Sequence, residues 1–348
     1  MKPIFKINLV IASFTIIAYV AAYISPQYFW YLGFIAYAIP VFMILNFIFL
    51  FFWIAKGNIR LLLSLITIIA GLKHIQASYS LTLNTTQTKK QFSVMSYNVN
   101  CFNPYPRKGS KDKAFFKAIT DDLEKVSPDI LCIQEYCSYP TIKSFDTQSK
   151  LLGSTYRHLF YKSRSEENKF TTAGVAIFSK YPLMGSGTVR NGEEEVIAIY
   201  ADLLVLTDTI RVYNTHLFSM GLVDDKEARE EAHSLKTFIK KMKKGFEVKA
   251  AEAGFLKEHL LASPYKIILA GDFNETPYSY IYKAFNDHLN NSFEVAGNGF
   301  GITYNGKIPF LRIDHQYADK KISVLNHQVL KHMNLTDHFP VMVNYTLE

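Results

Sequence analysis

The chain has 348 residues, 49% of them hydrophobic, with three cysteines and a formal charge of +8. Residues 1–77 contain no Asp or Glu and five basic residues, Lys2, Lys6, Lys56, Arg60 and Lys73, so the other 271 residues carry only +3. That balance argues against a strongly basic face gripping duplex DNA through many phosphates. Cys101, Cys132 and Cys137 lack the spacing of a zinc site or a disulfide framework and read as ordinary buried or half-buried thiols.

The first elements in chain order are apolar. Residues 8–24 make an uncharged segment of 17 residues and residues 28–55 one of 28, each long enough for a bilayer core of about 30 Å. Ser25, Pro26 and Gln27 separate them, with Tyr28, Trp30 and Tyr31 beside the turn, where amphipathic aromatics favour the headgroup level. A second span directly after the first argues against a cleaved signal peptide. A third span is expected at 59–79, with Arg60 and Lys73 snorkelling from a short apolar run. Lys2, Lys6, Lys56 and Arg60 then face the cytoplasm of a bacterial-type inner or plasma membrane. Three spans send the following residues outside; two would keep them in the cytoplasm. The expected organisation is an anchor at 1–80, embedded in the lipid bilayer, a connector at 81–91 and one domain at 92–348.

Beyond the connector, short apolar runs alternate with helical patterns, as expected of an α/β domain. FSVMSYNV and DILCIQE flank a lysine-studded amphipathic helix. Further expected strands are TAGVAIFSK, EVIAIYADLLV, IRVYNTHLF, YKIILAGDFN, FLRIDHQYA and FPVMVNYTL. Residues 224–261 read as two surface helices with a break near Gly245. The lysines 236, 240, 241, 243 and 244 read most simply as a solvated face, with an anionic substrate or membrane surface as the alternative. YPRKGSKDK, residues 105–113, reads as a basic connecting loop.

Several of these strands end on groups suited to metal and phosphate chemistry. YNVN leaves Asn98 at a strand end, and IQE delivers Glu135 after an apolar run, where a carboxylate needs a partner and a divalent cation is one candidate. NTH places Asn214 and His216 on one face. GDFN supplies Asp272 and Asn274 two residues apart, RIDH supplies Asp314, and TDHFP supplies Asp337 and His338. Taken singly, each is also explained by a turn, a salt bridge or a structural histidine.

In this order, and with GVAIFSKYP at 174–182, the motifs resemble those of the endonuclease/exonuclease/phosphatase superfamily. That superfamily includes deoxyribonuclease I, abasic-site endonucleases, neutral sphingomyelinases, inositol-phosphate 5-phosphatases and poly(A) nucleases. The resemblance implies a four-layer α/β sandwich, two mixed β-sheets flanked by helices, preceded here by the α-helical transmembrane region. It implies Mg²⁺, with Mn²⁺ as a substitute, at Asn98, Glu135 and Asp337. It implies phosphate contact at His216, positioning of water and phosphate by Asp272 and Asn274, and a final acid and histidine pair in Asp314 and His338. Some nuclease branches have an acid where this chain has Asn100, so a second carboxylate at the metal is not expected from that position.

The implied activity is hydrolysis of phosphodiester or phosphomonoester bonds. The substrate would be nucleic acid, a phospholipid headgroup or an inositol phosphate, and no obligate protein partner is expected. A lipid-directed enzyme of the sphingomyelinase or phosphoinositide-phosphatase type is the alternative. A non-catalytic phosphate-binding module is a third reading, disfavoured by the intact set of site residues.

Overall fold

The computed structural model describes residues 2–82, 91–102, 113–138, 156–163, 172–192, 195–220 and 235–347, with backbone alone at 113–114, 137–138, 156–163 and 172–173. Most of the connector and of the basic loop at 105–113, and residues 224–234 of the expected helical region, lie outside the described residues. The chain forms two units. One comprises Met1–Tyr79, Met220–Ala251 and Thr276–Asp287; the other comprises Ser80–Ser219, Glu252–Glu275 and His288–Glu348.

In the first unit the apolar segments become α1 (Lys2–Ala21), α2 (Leu32–Tyr37), α3 (Ile39–Ala55), α4 (Leu61–Ala70) and α5 (Leu72–Ser78). The segment expected as one span at 28–55 is therefore two helices, interrupted at Ala38 just before Pro40 in the first turn of α3. Pro40 has no N–H to donate to a carbonyl one turn earlier, so the helical hydrogen-bond run cannot pass through it unbroken, whereas proline is tolerated in the first turn of a helix. The segment expected at 59–79 bends by 61° between α4 and α5. Gly71 stands at the bend, where any Cβ would run into the Tyr19 ring. Among the described residues, α1 alone is long and apolar enough to cross a membrane as a single helix, and α4 with α5 would be a second if the bent pair is one span.

Contacts within this unit fix the helix directions. Arg60, before α4, lies over the rings of Phe5 at 5.0 Å and Trp53 at 5.5 Å. At the other end of α1, Tyr19 stacks on His74 of α5 at 4.8 Å. The pair α4–α5 thus runs alongside α1 in the same direction, and α3 runs back between their ends. The burial pattern is inverted relative to a soluble bundle. Asn8 Nδ2 donates to Ser64 Oγ at 2.9 Å, Trp53 Nε1 to Asn8 Oδ1 at 2.8 Å, and Asn46 Nδ2 to Thr15 Oγ1 at 2.7 Å, all buried. Val10, Ile44, Ile48, Phe51 and Ile66 are each more than half exposed.

The second unit contains two six-stranded sheets. Its strands are β1 (Ser80–Leu81), β2 (Phe92–Asn98), β3 (Ile130–Ser138), β4 (Tyr156–Ser163), β5 (Thr172–Ser179), β6 (Leu183–Arg190), β7 (Val196–Val205) and β8 (Asp208–His216). They continue with β9 (Lys266–Asp272), β10 (Asn290–Asn291), β11 (Asn298–Gly299), β12 (Asp314–Ala318), β13 (Ile322–Val329) and β14 (Val341–Leu347). One sheet has the order β10-β12-β9-β8-β7-β6 and the other β13-β14-β2-β3-β5-β4, while β1 pairs with β11. Each large sheet is mixed. Its parallel pair, β8–β9 or β2–β3, is flanked by antiparallel neighbours.

Side-chain alternation explains the layers, because successive residues of a strand point to opposite faces. Phe92, Val94, Ile130, Cys132, Val212, Ile268 and Val341 belong to one core between the sheets. Met95, Tyr97, Leu131 and Ile133 point the other way and pack with Phe116, Ile119 and Leu123 of helix α6 (Lys113–Val126). On the opposite sheet, the C-terminal part of α7 (Leu235–Leu261) is tied down by His259, whose Nδ1 lies 2.9 Å from the Tyr213 hydroxyl. Helix, sheet, sheet and helix form the four-layer sandwich.

Three further sequence readings need correction. α7 runs unbroken through Gly245, where a Cβ would meet the Met220 side chain, so the glycine serves close packing rather than a helix end. Cys101 is not an ordinary thiol: it is disulfide-bonded, whereas Cys132 is free and fully buried. Strands β1, β4, β6, β10, β11 and β13 are additional to the eight expected from the sequence, and β4, β6, β10 and β13 are the edges of the two large sheets.

Candidate active site

The site forms where the two parallel pairs end. In a parallel pair both C-termini lie at the same sheet edge, and an antiparallel neighbour begins at that edge. Asn98 of β2 is registered with Gln134 of β3, His216 of β8 with Asp272 of β9, and Asp314 of β12 with Asp272. Asp337 and His338 immediately precede β14, whose Val341 pairs with Ser96. The topology therefore gathers six separate sequence motifs at one end of the sandwich.

Local backbone geometry aims the side chains. Between Ile133 and Tyr136 the β3–β5 register shifts, so Gln134 and Glu135 oppose Val175 alone. This is a β-bulge, a device that bends a strand and redirects a side chain. Glu135 accordingly has φ 49°. Asn214 Nδ2 donates to the carbonyls of Ile133 at 2.8 Å and Ala176 at 2.9 Å, the residues paired beside the bulge. Its Oδ1 accepts from Gln134 Nε2 at 2.6 Å, and Gln134 also donates to Ser96 Oγ. Asn214 is thus a buried tie from one sheet to the distorted edge that presents Glu135.

Gly271 has φ 151°, and a Cβ there would collide with the carbonyl oxygen of Thr215 on β8. Glycine is required one residue before Asp272 for close strand approach. The turn itself is made by Asn274, at φ 51°, whose N–H donates to Asp272 Oδ1 at 2.8 Å and whose Nδ2 donates to the Leu217 carbonyl at 3.1 Å. Asparagine tolerates that left-handed conformation better than most residues.

Asp272 is the hub. Its Oδ2 accepts from Asn98 Nδ2 at 3.0 Å and lies 3.7 Å from Nε2 of both His216 and His338. Asn98 Nδ2 also reaches Glu135 Oε1 at 3.4 Å, while Asn98 Oδ1 accepts the Asn100 N–H. Glu135 Oε1 is 4.0 Å from His216 Nε2, at the outer limit of an ion pair. His338 Nδ1 donates to Asp314, 3.0 and 3.1 Å from its two oxygens. Burial opposes a charge on His338, but Asp314 and then Asp272 outweigh it and raise the imidazole to about 10. His315 and His327 are different: burial first, then Arg312, pushes each down to about 3, so they are neutral core residues.

Asn98, Glu135, His216, Asp272, Asp314 and His338 therefore come together, and Asn274 and Asp337 border the group through Asp272 and His338. Asp272, Asp314 and His338 place ligand-type atoms within 4.8 Å of one another. Glu135 and Asp337 are not in that cluster. Glu135, Asp272 and Asn98 offer hard oxygen donors beside a partly open edge, with Glu135 and His216 side chains 21% and 25% exposed. This donor chemistry fits Mg²⁺ or Mn²⁺, which take oxygen ligands and keep waters, better than a closed zinc site.

Two threonines complete the support. Thr303 Oγ1 accepts the Ile313 and Asp314 N–H groups, and Thr336 Oγ1 accepts the His338 N–H. Thr336 also lies 3.1 Å from the Asn98 carbonyl. The sequence reading passed over both. The hydroxyl two residues before His338 was the available signal, as such side chains readily bond neighbouring backbone.

The endonuclease/exonuclease/phosphatase family model matches residues 95–338. The chain belongs to that family. A domain-of-unknown-function model matches residues 1–78. Similar structures include an endonuclease/exonuclease/phosphatase from Beutenbergia cavernae, 18% identical with TM-score 0.54, covering 74% of this chain and 72% of that one. The human Nocturnin catalytic domain with bound sulfate is 17% identical with TM-score 0.53, covering 76% and 97%. A Bacteroides thetaiotaomicron mannosyl-6-phosphatase is 18% identical with TM-score 0.51, covering 74% and 100%. No curated protein matches the sequence. Family membership makes this chain a hydrolase of phosphate ester bonds.

Proposed function

We propose that the protein is a membrane-anchored, Mg²⁺-dependent phosphoesterase whose site faces the extracytoplasmic side and cleaves phosphodiester or phosphomonoester bonds. One observation carries the chemistry: Asp272, pinned by Asn274 and Asn98, lies 3.7 Å from two imidazoles held by different sheets. An acid so placed takes a proton from water as the water oxygen attacks phosphorus. His338, kept cationic by Asp314, offsets charge gathering on the phosphoryl oxygens. His216, the more open imidazole, donates a proton to the leaving oxygen as the ester P–O bond breaks. Asn274 holds the turn that fixes the Asp272 carboxylate.

Glu135 and Asn98 would hold the metal, with Asp337 contributing from the His338 side. A divalent cation there supplies the positive charge that lets a phosphate approach an acidic cluster. Because His338 already neutralises Asp314, the Glu135 edge has the greater need of a cation. Asp272→Ala in the purified full-length enzyme, offered plasmid DNA, a bis-ester chromogen, phospholipids and inositol phosphates with Mg²⁺, should lose at least about 100-fold in turnover. Near-normal activity of that variant, or activity unaffected by chelator, would sink the reading. The panel also identifies which ester is preferred.

The inverted burial of the helical unit supports anchoring, since a bundle in water would not expose Ile44, Phe51 and Ile66 while burying Asn8, Asn46 and Ser64. Polar pairs between helices and apolar outer surfaces are the pattern lipid favours. Three crossings need α3, an apolar helix of 17 residues, to cross beside α1 and the bent α4–α5 pair, and the contacts of Arg60 with Phe5 and Trp53 put Arg60 near the end of the unit where α1 begins. The disulfide at Cys101 supports the extracytoplasmic side, because such bonds persist in oxidising compartments.

A further inference from the structure

The helical unit includes the first part of α7, and its exposed side chains are of two kinds. Residues 235–244, LKTFIKKMKK, contain five lysines and no acid. Leu235, Phe238, Ile239, Met242 and Phe246 recur at helical spacing as one apolar stripe. Met242 and Phe246 are buried; Phe246 packs on Phe34 and Tyr37, each at 5.3 Å between ring centres. Leu235 is 73% exposed, and Phe238 and Ile239 are also exposed. The stripe thus continues past its packing partners with its last side chains uncovered, flanked by Lys236, Lys240 and Lys243.

A solvated helix face explains the lysines but not three large apolar residues aligned between them. Two further observations bear on what could cover the stripe. Lys243 Nζ stands 5.7 Å over the ring of Trp30, in the aromatic turn where Tyr28 is 79% exposed. That turn joins α1 to α2 and so marks one end of the apolar outer surface of the bundle. Aromatic turns with amphipathic rings occupy the headgroup level, and helices with a basic flank and an apolar stripe lie in the same layer.

We propose that residues 235–244 are an interfacial segment that docks on anionic lipid headgroups of the membrane holding the anchor. Leu235, Phe238 and Ile239 enter the acyl boundary, and the lysines pair with lipid phosphates. The proposal rests on the anchored reading of the helical unit, and its test separates the two. Single-tryptophan reporters are placed in a Trp30→Phe, Trp53→Phe background of the full-length chain in nanodiscs containing brominated lipid. Phe51→Trp reports on α3, Phe238→Trp on the docking segment and Met184→Trp, on β6, on solvent.

With phosphatidylglycerol added to phosphatidylcholine, Phe238→Trp should be quenched at least about threefold more than in phosphatidylcholine alone. Adding Lys236→Gln, Lys240→Gln, Lys243→Gln and Lys244→Gln should abolish the gain. Phe51→Trp should be quenched in both compositions. Phe238→Trp behaving like Met184→Trp, with Phe51→Trp still quenched, overturns the docking alone. Equal quenching of Phe238→Trp in both compositions overturns the role of lipid charge. Unquenched Phe51→Trp overturns the anchor and the docking together.

Discussion

At the scale of single residues, His338 and Asn214 carry separable expectations. The raised value of His338 has a definite sign: its folded pKa of about 10 lies above the ordinary value of 6.5. Its ion pair therefore stabilises the fold fully below about pH 6.5, and that contribution is lost as pH rises toward 10. In metal-free protein, an NMR titration should show His338 still protonated at pH 8, and Asp314→Asn should bring its midpoint down by at least about one unit. Asn214 is fully buried and satisfies two carbonyls beside the Glu135 bulge. Asn214→Ala leaves buried acceptors unpaired and should cost about 2–4 kcal/mol of stability, read by denaturant unfolding of the enzyme. It should also weaken Mg²⁺ activation more than it raises KM, because the disturbed element is the strand that carries Glu135.

At the scale of elements, β9 illustrates how a short motif serves two needs. GDFN looked like a turn, but Gly271 lies inside the strand and the turn falls at Asn274. Gly271→Ala would force β8 and β9 apart and should abolish activity while lowering the melting temperature by several degrees, measured by circular dichroism beside the assay. The central strands were legible because burial on both faces leaves continuous apolar runs. The edge strands β4, β6 and β13 were not, since a half-solvated edge tolerates the mixed pattern of LMGSGTVR or ISVLNHQV. α7 was divided wrongly at Gly245 because an isolated glycine costs a helix only about 1 kcal/mol, which packing can outweigh.

At the scale of the whole molecule, the proposed anchoring of the helical unit has a direct test. A reporter enzyme that works only in the cytoplasm, fused after Glu348, should be inactive if three crossings place the sandwich outside. Strong reporter activity would require an even number of crossings. Asn8→Leu removes the hydrogen bonds to Ser64 and Trp53 and should destabilise the helical unit by about 1 kcal/mol, seen as earlier detergent-induced unfolding without loss of phosphoesterase activity.

The sequence by itself determined the apolar N-terminal segments, the α/β class and a set of candidate strand-end residues, because hydrophobic runs, alternation and strand-end polar motifs are local properties of the chain. Tertiary structure decided what distance along the chain conceals. It alone showed that parallel pairs in two sheets deliver Asn98, Glu135, His216, Asp272, Asp314 and His338 to one edge. It also showed that a bulge tied by Asn214 turns Glu135 toward that edge. The disulfide at Cys101, the bend at Gly71 beside Tyr19 and the uncovered stripe at the start of α7 arise likewise from neighbours distant in sequence. Burial and partnership are properties of the packed chain, and residue spacing cannot specify them.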